Sequence, residues 1–403
     1  MRSQLVDRNA LVIRNRLMTE AYHRSSLTHQ VRETLVEIAA RMPFIPCRKP
    51  RVERILLIRP DHLGDVLLIT PAIRALRAAR PAAEIHALIG GWSADVVGAY
   101  PEIDLVLTLD FPGFTRAAKK SVQSPYQLAL ATANRLRRIG YSSAVILRPD
   151  HWWGALVAKL AGIPIRVGYD LPQVRGYLTE SIPHEHQHAV RQNARLVARW
   201  TGLLEDADLE YRFPVKAEDM AYVEGYLDEW GITPSERLIS IHAGSGTAVK
   251  QWPSDRWSIV ADTLADQLDA RIVLTGADHE VATAMHIAEA MSHQPIVMAG
   301  DTRIGQLSAL FQRSILALGP DSGPLHLAAA VGTPTVTLFG PADPVEFRPW
   351  GPPERHTVLT SEMGCRPCRI LDWSADNSEY HPCVREITVA QVLDAARTIC
   401  QRR

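Results

Sequence analysis

Residues 54–76 have the sequence RILLIRPDHLGDVLLITPAIRAL, in which an apolar run gives way to a polar turn and then to a helical pattern. The run RILLI (54–58) is typical of a buried strand, and Gly64 allows a sharp turn after it. The helix begins either near Asp65, with a kink, or at Thr70, because Thr70 and Pro71 form a typical N-cap and first-position pair. Apolar residues recur along it at the spacing of one helix face, at Val66, Ile69, Ile73 and Leu76.

The same alternation of β-rich runs and helical patterns recurs in both halves of the chain. Predicted strands of the first half are RILLI (54–58), EIHAL (84–88), DLVLTL (104–109) and SAVILR (143–148). Those of the second half are RLISIH (237–242), RIVLTG (271–276), SILALG (314–319) and TVTLFG (335–340). Strands that alternate with helices indicate βαβ units and a mainly parallel sheet, so each half is predicted to be an α/β domain.

The length of 403 residues also suits two domains. An amphipathic helix bracketed by Pro214 and Pro234 is typical of a connection between domains. We therefore predict an N-terminal domain at residues 51–215, a linker at 216–235 and a C-terminal domain at 236–403. Ligands of open α/β sheets bind at the carboxyl ends of the strands, so the turns that leave the strands are expected to carry the chemistry.

Charge and hydropathy restrict the class of protein. Basic and acidic residues both number 44, which gives no sign of nucleic-acid binding. No run approaches the ~18 apolar residues of a membrane span, and the first residues lack the apolar core of a signal peptide, so a cytoplasmic protein is predicted. Residues 1–50 hold nine Lys or Arg against four acidic residues and are predicted to form a basic helical extension. This extension either packs on the first domain or contacts an anionic membrane surface or a partner subunit.

The turn after the first strand places Asp65 at the carboxyl end of the sheet. An Asp at such a position is often a helix N-cap, but it can also act as a general base toward an attacking hydroxyl. Asp61 and His62 are interpreted as solvated turn residues. Trp152 and Trp153, after the fourth strand, suit either the core or stacking on a sugar ring.

Two turns of the second half have the character of an anion site. In IHAGSGTAVKQWP (241–253), the glycines let backbone N–H groups approach an anion, Ser245 and Thr247 offer hydroxyls, and Lys250 adds positive charge. In GPDSGPLHLAAAVGTP (319–334), Asp321, Ser322 and Gly323 precede Pro324 and open a helix whose N-terminus suits phosphate. His326 follows in its first turn. Neither the GxGxxG nor the GxxxxGK[ST] pattern is present, which argues against a dinucleotide dehydrogenase and a P-loop enzyme.

Three of these stretches, in their order and spacing, resemble glycosyltransferase family 9, the ADP-heptose:lipopolysaccharide heptosyltransferases. They are ILLIRPDHLGDVLLITPAIRALRAARP, HAGSGTAVKQWPSDRW and DSGPLHLAAAVGTPTVTLFGPADP, and the resemblance covers roughly residues 52–398. It implies the GT-B fold, with two Rossmann-like domains facing across a cleft, the acceptor on the N-terminal domain and the nucleotide sugar on the C-terminal domain.

The resemblance also implies roles for individual residues. Asp65 corresponds to the general base of an inverting displacement of ADP by an acceptor hydroxyl. Lys250 corresponds to the lysine that neutralises donor phosphate, with Thr247 nearby, and Asp321 to the aspartate that holds the sugar hydroxyls. Ser322 and Gly323 then present N–H groups to the diphosphate, with His326 on the same helix. No metal is expected in the reaction.

The resemblance leaves the acceptor open. The substrate predicted first is a lipopolysaccharide-core or related glycolipid, with a peripheral contact at the inner membrane as one role for residues 1–50. Alternatives are a protein O-heptosyltransferase of the autotransporter type and a catalytically silent sugar-nucleotide-binding protein.

Four cysteines lie near the end of the chain, at Cys365, Cys368, Cys383 and Cys400. Thiolates at CxxC spacing are reasonable ligands for structural zinc or iron, and autotransporter heptosyltransferases hold iron in a cysteine finger. Reduced thiols without a metal and a disulfide are the other interpretations.

Overall fold

The computed structural model describes residues 8–23, 51–115, 123–371 and 381–402. Contacts divide the chain after Tyr211. The described residues from 51 to Tyr211 form the N-terminal unit. The C-terminal unit begins at Arg212 and also includes the first helix, α1 (Arg8–His23).

The N-terminal unit is built on a parallel sheet whose strands are β1 (Arg54–Arg59), β2 (Glu84–Ile89), β3 (Leu105–Thr108), β4 (Ser143–Ile146), β5 (Ile165–Tyr169) and β6 (Glu180–Ile182). The strand order is β3-β2-β1-β4-β5-β6. Its helices are α2 (Leu63–Leu67), α3 (Thr70–Ala79), α4 (Ala94–Gly98), α5 (Ser124–Ile139), α6 (Trp152–Leu160), α7 (Pro172–Arg175) and α8 (Ala189–Thr201). The two starts proposed for the first helix both occur, as the separate helices α2 and α3.

The C-terminal unit has a second parallel sheet, made of β7 (Arg237–His242), β8 (Ala270–Thr275), β9 (Ile296–Val297), β10 (Leu316–Pro320), β11 (Thr335–Phe339) and β12 (His356–Thr360). The order is β12-β11-β10-β7-β8-β9. Its helices after α1 are α9 (Ala217–Glu229), α10 (Ser254–Leu268), α11 (Val281–Ala290), α12 (Ile304–Arg313), α13 (Gly323–Ala330), α14 (Pro344–Phe347) and α15 (Val389–Gln401).

Both sheets have the same topology. Counted from its own first strand, each has the order 3-2-1-4-5-6, which is the doubly wound Rossmann arrangement. The order reverses between β1 and β4 in one unit and between β7 and β10 in the other, and both pairs are parallel. The predicted α/β class with two Rossmann-like domains of the GT-B type is therefore confirmed. Ligands are expected at these two switch points.

Apolar residues pack on both faces of each sheet, which is why the central strands are continuous apolar runs. Leu56 and Ile58 of β1 lie in the core of the N-terminal unit with Trp153. Ile239 and Ile241 of β7 lie in the core of the C-terminal unit. None of the described helices is both long and apolar enough to cross a membrane.

Two segments pack differently from the predictions. The helix predicted as a linker, α9, packs within the C-terminal unit, where Tyr222 donates a hydrogen bond to the carbonyl of Asp301 at 3.1 Å. Over its described part, the extension belongs to the C-terminal unit, which α1 contacts. There Arg8 pairs with Glu386 at 2.9 Å, and Arg16 donates to the carbonyl of Gly364 at 2.8 Å. The other predicted residues of the extension lie outside the described ranges.

Candidate functional site

The first candidate site lies in the N-terminal unit, where β1 and β4 end at the switch point. Asp65 lies in the first turn of α2, and its carboxylate is about one-third exposed. His62 occupies the N-cap position of α2, so Asp65 is not the helix cap. Instead, Oδ1 of Asp65 lies 3.4 Å from Nη2 of Arg59, the last residue of β1. The chain thus places the proposed base at the edge of the sheet with a carboxylate that solvent can reach.

Asp61 is buried, and its interpretation as a solvated turn residue was wrong. Its Oδ2 lies 2.6 Å from Nε of Arg59, and its Oδ1 pairs with the guanidinium of Arg148, which follows β4. Burial raises the pKa of Asp61, but the two guanidiniums outweigh this effect and hold that pKa below its ordinary value. His62 is exposed as predicted, with its ring 5.3 Å from that of Trp92.

Two further residues at this switch point were missed by the sequence analysis. Arg148 bridges Asp61 and Asp150, with Nε 2.6 Å from Oδ1 of Asp150. His151 is buried against the rings of Phe111 and Trp153, and its burial lowers the pKa to about 3. The sequence shows that both residues follow a predicted strand, but it does not show that this strand lies beside β1.

Trp153 belongs to the core of the N-terminal unit. It is almost fully buried, and its Nε1 donates a hydrogen bond to the carbonyl of Pro125 at 2.9 Å. The core interpretation therefore holds for Trp153, while Trp152 is half-buried.

The second candidate site lies in the C-terminal unit, where β7 and β10 end at its switch point. The loop after β7 carries Lys250, and Asp321 follows β10 directly. Nζ of Lys250 lies 2.6 Å from Oδ2 of Asp321, and both side chains are largely buried. Removing one partner of a buried ion pair leaves the other without a compensating charge, which is costly. The structure thus brings together the two residues that the resemblance assigns to donor phosphate and donor sugar.

Two hydroxyls beside this ion pair lack a partner among the described residues. They are Oγ1 of Thr247 and Oγ of Ser322, both buried atoms. Unsatisfied buried hydroxyls are costly, so their presence at a switch point fits a polar ligand that supplies the missing hydrogen bonds. Ser245 differs, because its hydroxyl donates to the carbonyl of Thr247 at 2.9 Å and so holds the loop itself.

The helix α13 begins at Gly323, with Ser322 as its N-cap and Pro324 in its first turn. Its first N–H groups and the positive end of its dipole suit phosphate, as the sequence predicts. His326, one turn into α13, is buried. That burial lowers its pKa to about 4, although the charge of Asp321 acts in the opposite direction, so the imidazole is neutral at pH 7.

A third feature of this unit was not predicted. His242, at the end of β7, shares a hydrogen bond with the hydroxyl of Thr275 at 3.1 Å, and its Nε2 lies 3.6 Å from Oε2 of Glu280. A Cβ at Gly244 would lie 2.0 Å from Oε1 of Glu280. A larger residue at Gly244 would therefore require the Glu280 carboxylate to move.

Three of the four cysteines of the C-terminal unit line the same cavity. A small cavity is lined by Cys365, Cys368, Cys383 and His381, whereas Cys400 lies on α15 and packs against the core. Burial raises the pKa of Cys383 to about 12 and also raises that of Cys368, so these thiols are protonated when no cation is bound. Within the described part of the chain, no three of the four groups have ligand atoms within 4.8 Å of one another. The donor types fit zinc or iron, and closing around an ion requires side-chain rotation.

Comparisons with known proteins agree with this geometry. The family model for glycosyltransferase family 9 (heptosyltransferase) matches residues 129–376. Lipopolysaccharide heptosyltransferase 3 of Escherichia coli K12 is 30% identical over 304 residues, which cover 71% of this chain and 82% of that protein.

Solved structures of the same kind share the fold. The glycosyltransferase family 9 structure from Veillonella parvula DSM 2008 has a TM-score of 0.73 at 23% identity and covers 88% of this chain and all of that one. The E. coli ADP-heptose lipopolysaccharide heptosyltransferase II has a TM-score of 0.66 at 22% identity, with coverage of 87% and 99%. The dodecameric, iron-containing heptosyltransferase TibC of enterotoxigenic E. coli has a TM-score of 0.53 at 14% identity, with coverage of 88% and 78%.

Proposed function

The chain belongs to glycosyltransferase family 9 (heptosyltransferase) and is a glycosyltransferase, and from this premise we propose that it moves a heptosyl group from ADP-heptose to a lipopolysaccharide-core or related glycolipid. The observation that carries the proposal is the Lys250–Asp321 pair at the switch point of the C-terminal sheet. It sits among unsatisfied hydroxyls and next to the N-terminus of α13, an arrangement suited to the diphosphate and hydroxyl groups of a nucleotide sugar.

The proposed reaction is a single displacement with inversion. Asp65 accepts the proton of an acceptor hydroxyl while that oxygen bonds to the anomeric carbon of the heptose. The bond from that carbon to the diphosphate breaks, and ADP leaves with its electron pair. Negative charge grows on the leaving group, so Lys250 and the N–H groups of α13 stabilise the transition state more than the ground state.

In this scheme Lys250 pairs with two groups in turn, first Asp321 and then the donor phosphate. Without donor it pairs with Asp321, and its charge offsets a carboxylate that is almost fully buried. When the donor binds, we propose that Lys250 turns toward phosphate and that Asp321 accepts hydrogen bonds from sugar hydroxyls instead. The donor thus gives each of the two groups a new hydrogen-bonding partner, which reduces the cost of opening the pair.

Calorimetry and product analysis test the proposal together. ADP-heptose is titrated beside UDP- and GDP-sugars into the wild type and Asp65→Asn, and transfer to a lipid-linked acceptor is then measured with the product's anomeric configuration. We expect selective ADP-heptose binding by both proteins and transfer with inversion by the wild type alone. Preference for another nucleotide would overturn the donor. Labelling of autotransporter serines in place of the lipid would favour the O-heptosyltransferase alternative. Donor binding without transfer to any acceptor would favour a catalytically silent sugar-nucleotide-binding protein.

A structural metal is a separate proposal. We propose that Cys365, Cys368, Cys383 and His381 hold one zinc or iron ion, in place of the four-cysteine set expected from the sequence. The support is that all four line one cavity, while Cys400 packs elsewhere. The ion would tie the chain around residue 365 to that around residue 383, and it takes no part in the transfer.

Contact with an anionic membrane surface is proposed for α1. One side of this helix carries buried Leu11 and Asn15, while Ile13 and Leu17 are each 61% exposed and Met18 is 40% exposed. Exposed arginines lie beside these apolar side chains. Apolar side chains flanked by basic ones are suited to the interface of an anionic bilayer, where a glycolipid acceptor is found.

A further inference from the structure

Arg59 is fixed beside the proposed base by contacts with two different strands. It is the last residue of β1, and its Nη1 donates a 2.7 Å hydrogen bond to the carbonyl of Leu147, just beyond β4. Its side chain is 6% exposed, and Nη2 lies 3.4 Å from Oδ1 of Asp65. The guanidinium therefore restrains one oxygen of the Asp65 carboxylate from a rigid part of the sheet.

Asp61 in turn fixes Arg59. Its Oδ2 lies 2.6 Å from Nε of Arg59, and its Oδ1 pairs with Arg148. The backbone carbonyl of Asp61 accepts hydrogen bonds from Nε1 of Trp92 at 3.0 Å and from the hydroxyl of Ser93 at 3.3 Å. Asp61 is thus held through both its side chain and its backbone.

The pairing matters because a guanidinium alone would weaken a general base. An adjacent positive charge stabilises a carboxylate and lowers its proton affinity, whereas catalysis needs a base that accepts a proton readily near neutral pH. A negative charge 2.6 Å from the same guanidinium offsets this effect. The pair can therefore orient Asp65 at little cost in basicity.

We propose that Arg59 and Asp61 act together as positioning residues for Asp65. Arg59 holds one oxygen of the Asp65 carboxylate, and Asp61 fixes Arg59 and balances its charge. The inference rests on the proposed role of Asp65 as general base. It assigns a role to two buried charged residues that the transfer reaction itself does not use.

Other charged groups lie near the pair. Arg148 pairs with both Asp61 and Asp150, so Asp61→Asn also removes one of these two interactions. Burial lowers the pKa of His151 to about 3, so that imidazole is neutral near pH 7. His62 is exposed, with its ring 5.3 Å from that of Trp92. Ionisations of the acceptor are common to all proteins compared, so a difference between variants reports the charges around Asp65.

The test compares the pH dependence of kcat/KM for the wild type, Asp61→Asn, Arg59→Met and Arg59→Lys. Asp61→Asn leaves the charge of Arg59 less balanced, so the acidic limb is expected to move to lower pH by about one unit, with kcat about tenfold lower. Arg59→Met removes the positive charge and should move the limb to higher pH. Arg59→Lys keeps the charge without the planar fork, so kcat should fall about tenfold while the limb stays in place.

Glu84→Gln is the matched control. Glu84 pairs with Arg54, the first residue of β1, at 2.5 Å, so this variant removes a carboxylate from an arginine of the same strand at its opposite end. Glu84→Gln should leave both the acidic limb of the kcat/KM profile and kcat unchanged. Thermal unfolding of every variant identifies those that fail to fold.

Two failures can be told apart. If Asp65→Asn transfers normally, the base assignment fails and the positioning inference fails with it, while the proposed transfer itself stands. If Asp65→Asn is inactive but folded Asp61→Asn and Arg59→Met leave the limb in place, the pair has no influence on the base and the positioning inference is overturned. Opposite limb shifts in these two variants would support it, because a merely structural role does not predict their signs.

Discussion

Single residues at the two switch points carry most of the proposed chemistry. The sequence predicted the positions of these residues better than the burial and charge pairing around them. Asp65, Lys250 and Asp321 all lie where strands end, as the strand and turn pattern predicts. The burial of Asp61 could not be predicted locally, because its two partners come from β1 and from the turn after β4, 87 positions away in the case of Arg148. Charge pairing across a sheet depends on strand order, which local patterns do not specify.

Lys250→Met should weaken donor binding far more than acceptor binding. It removes a charge-assisted contact to phosphate and leaves the buried carboxylate of Asp321 unbalanced, so the Kd for ADP-heptose should rise about ten- to a hundredfold. Calorimetry with ADP-heptose and with ADP measures this. Lys250→Arg, which keeps the charge, should lose less. An unchanged Kd in Lys250→Met would remove Lys250 from the donor site.

Buried histidines should make the fold less stable in mild acid. His356 shares a hydrogen bond with Thr335 at 3.1 Å, and burial lowers its pKa to about 4 from an ordinary value of 6.5. The unfolded chain therefore binds a proton at higher pH than the folded chain, so stability is present above about pH 6.5 and falls as the pH drops toward 4. From pH 7 to pH 5 this residue alone accounts for a loss of about 2 kcal/mol.

Denaturant unfolding of the wild type and His356→Gln at pH 7 and pH 5 checks this. The variant should lose about 2 kcal/mol less than the wild type between the two pH values, whatever its stability at pH 7. Equal losses would mean that His356 titrates with an ordinary pKa in the folded protein.

At the scale of elements, strands that form a largely apolar run were predictable and several others were not. All eight predicted strands are present, including β3 at the edge of the N-terminal sheet. The strands β5, β6, β9 and β12 were missed. Three-residue β6 and two-residue β9 are too short to show a periodic pattern, and pairing with the adjacent strand defines them instead.

Local sequence also could not predict where α1 packs. Its amphipathic pattern gives an apolar side but does not indicate which unit that side contacts. The structure adds a polar contact to the cysteine segment, since Nδ2 of buried Asn15 lies 3.9 Å from Sγ of Cys365. Asn15 also lines the cavity of the three cysteines and His381, so α1 covers the proposed metal site.

Cysteine and histidine variants should separate the proposed metal site from the four-cysteine alternative. Protein purified without chelator is expected to contain about one equivalent of zinc or iron by elemental analysis. Cys383→Ser and His381→Ala should lose most of this metal and unfold at lower temperature, while Cys400→Ser should keep it. Less than about a tenth of an equivalent in the wild type would refute the site. Equal loss in Cys400→Ser and Cys383→Ser would restore Cys400 as the fourth ligand.

At the scale of the whole molecule, two sheets with one topology each offer a switch point, and we propose that each holds a different part of the reaction. The N-terminal one carries Asp65, the proposed proton acceptor, near the end of β1, and the C-terminal one carries Lys250 and a helix N-terminus near the ends of β7 and β10. Repetition of the fold thus supplies two ligand sites, and side chains in the turns differentiate them.

The proposed lipid-linked acceptor would also require contact with a membrane, and vesicle binding tests whether the exposed side of α1 provides it. We expect the full-length protein to sediment with vesicles containing phosphatidylglycerol, less with phosphatidylcholine vesicles, and less at high salt, where screening weakens the contribution of the arginines. Ile13→Gln combined with Leu17→Gln should reduce vesicle binding about tenfold or more, since two apolar side chains no longer enter the interface.

The matched control for vesicle binding is Leu203→Gln, which removes an 85% exposed leucine of the N-terminal unit and should leave binding unchanged. Transfer to a short, water-soluble acceptor should be equal in all three proteins, because α1 is proposed to contact the membrane and not the reacting groups. If the α1 double variant binds vesicles as the wild type does, α1 is not the contact. If instead it loses transfer to the soluble acceptor as well, α1 supports the catalytic fold and its membrane role is not needed to explain the loss.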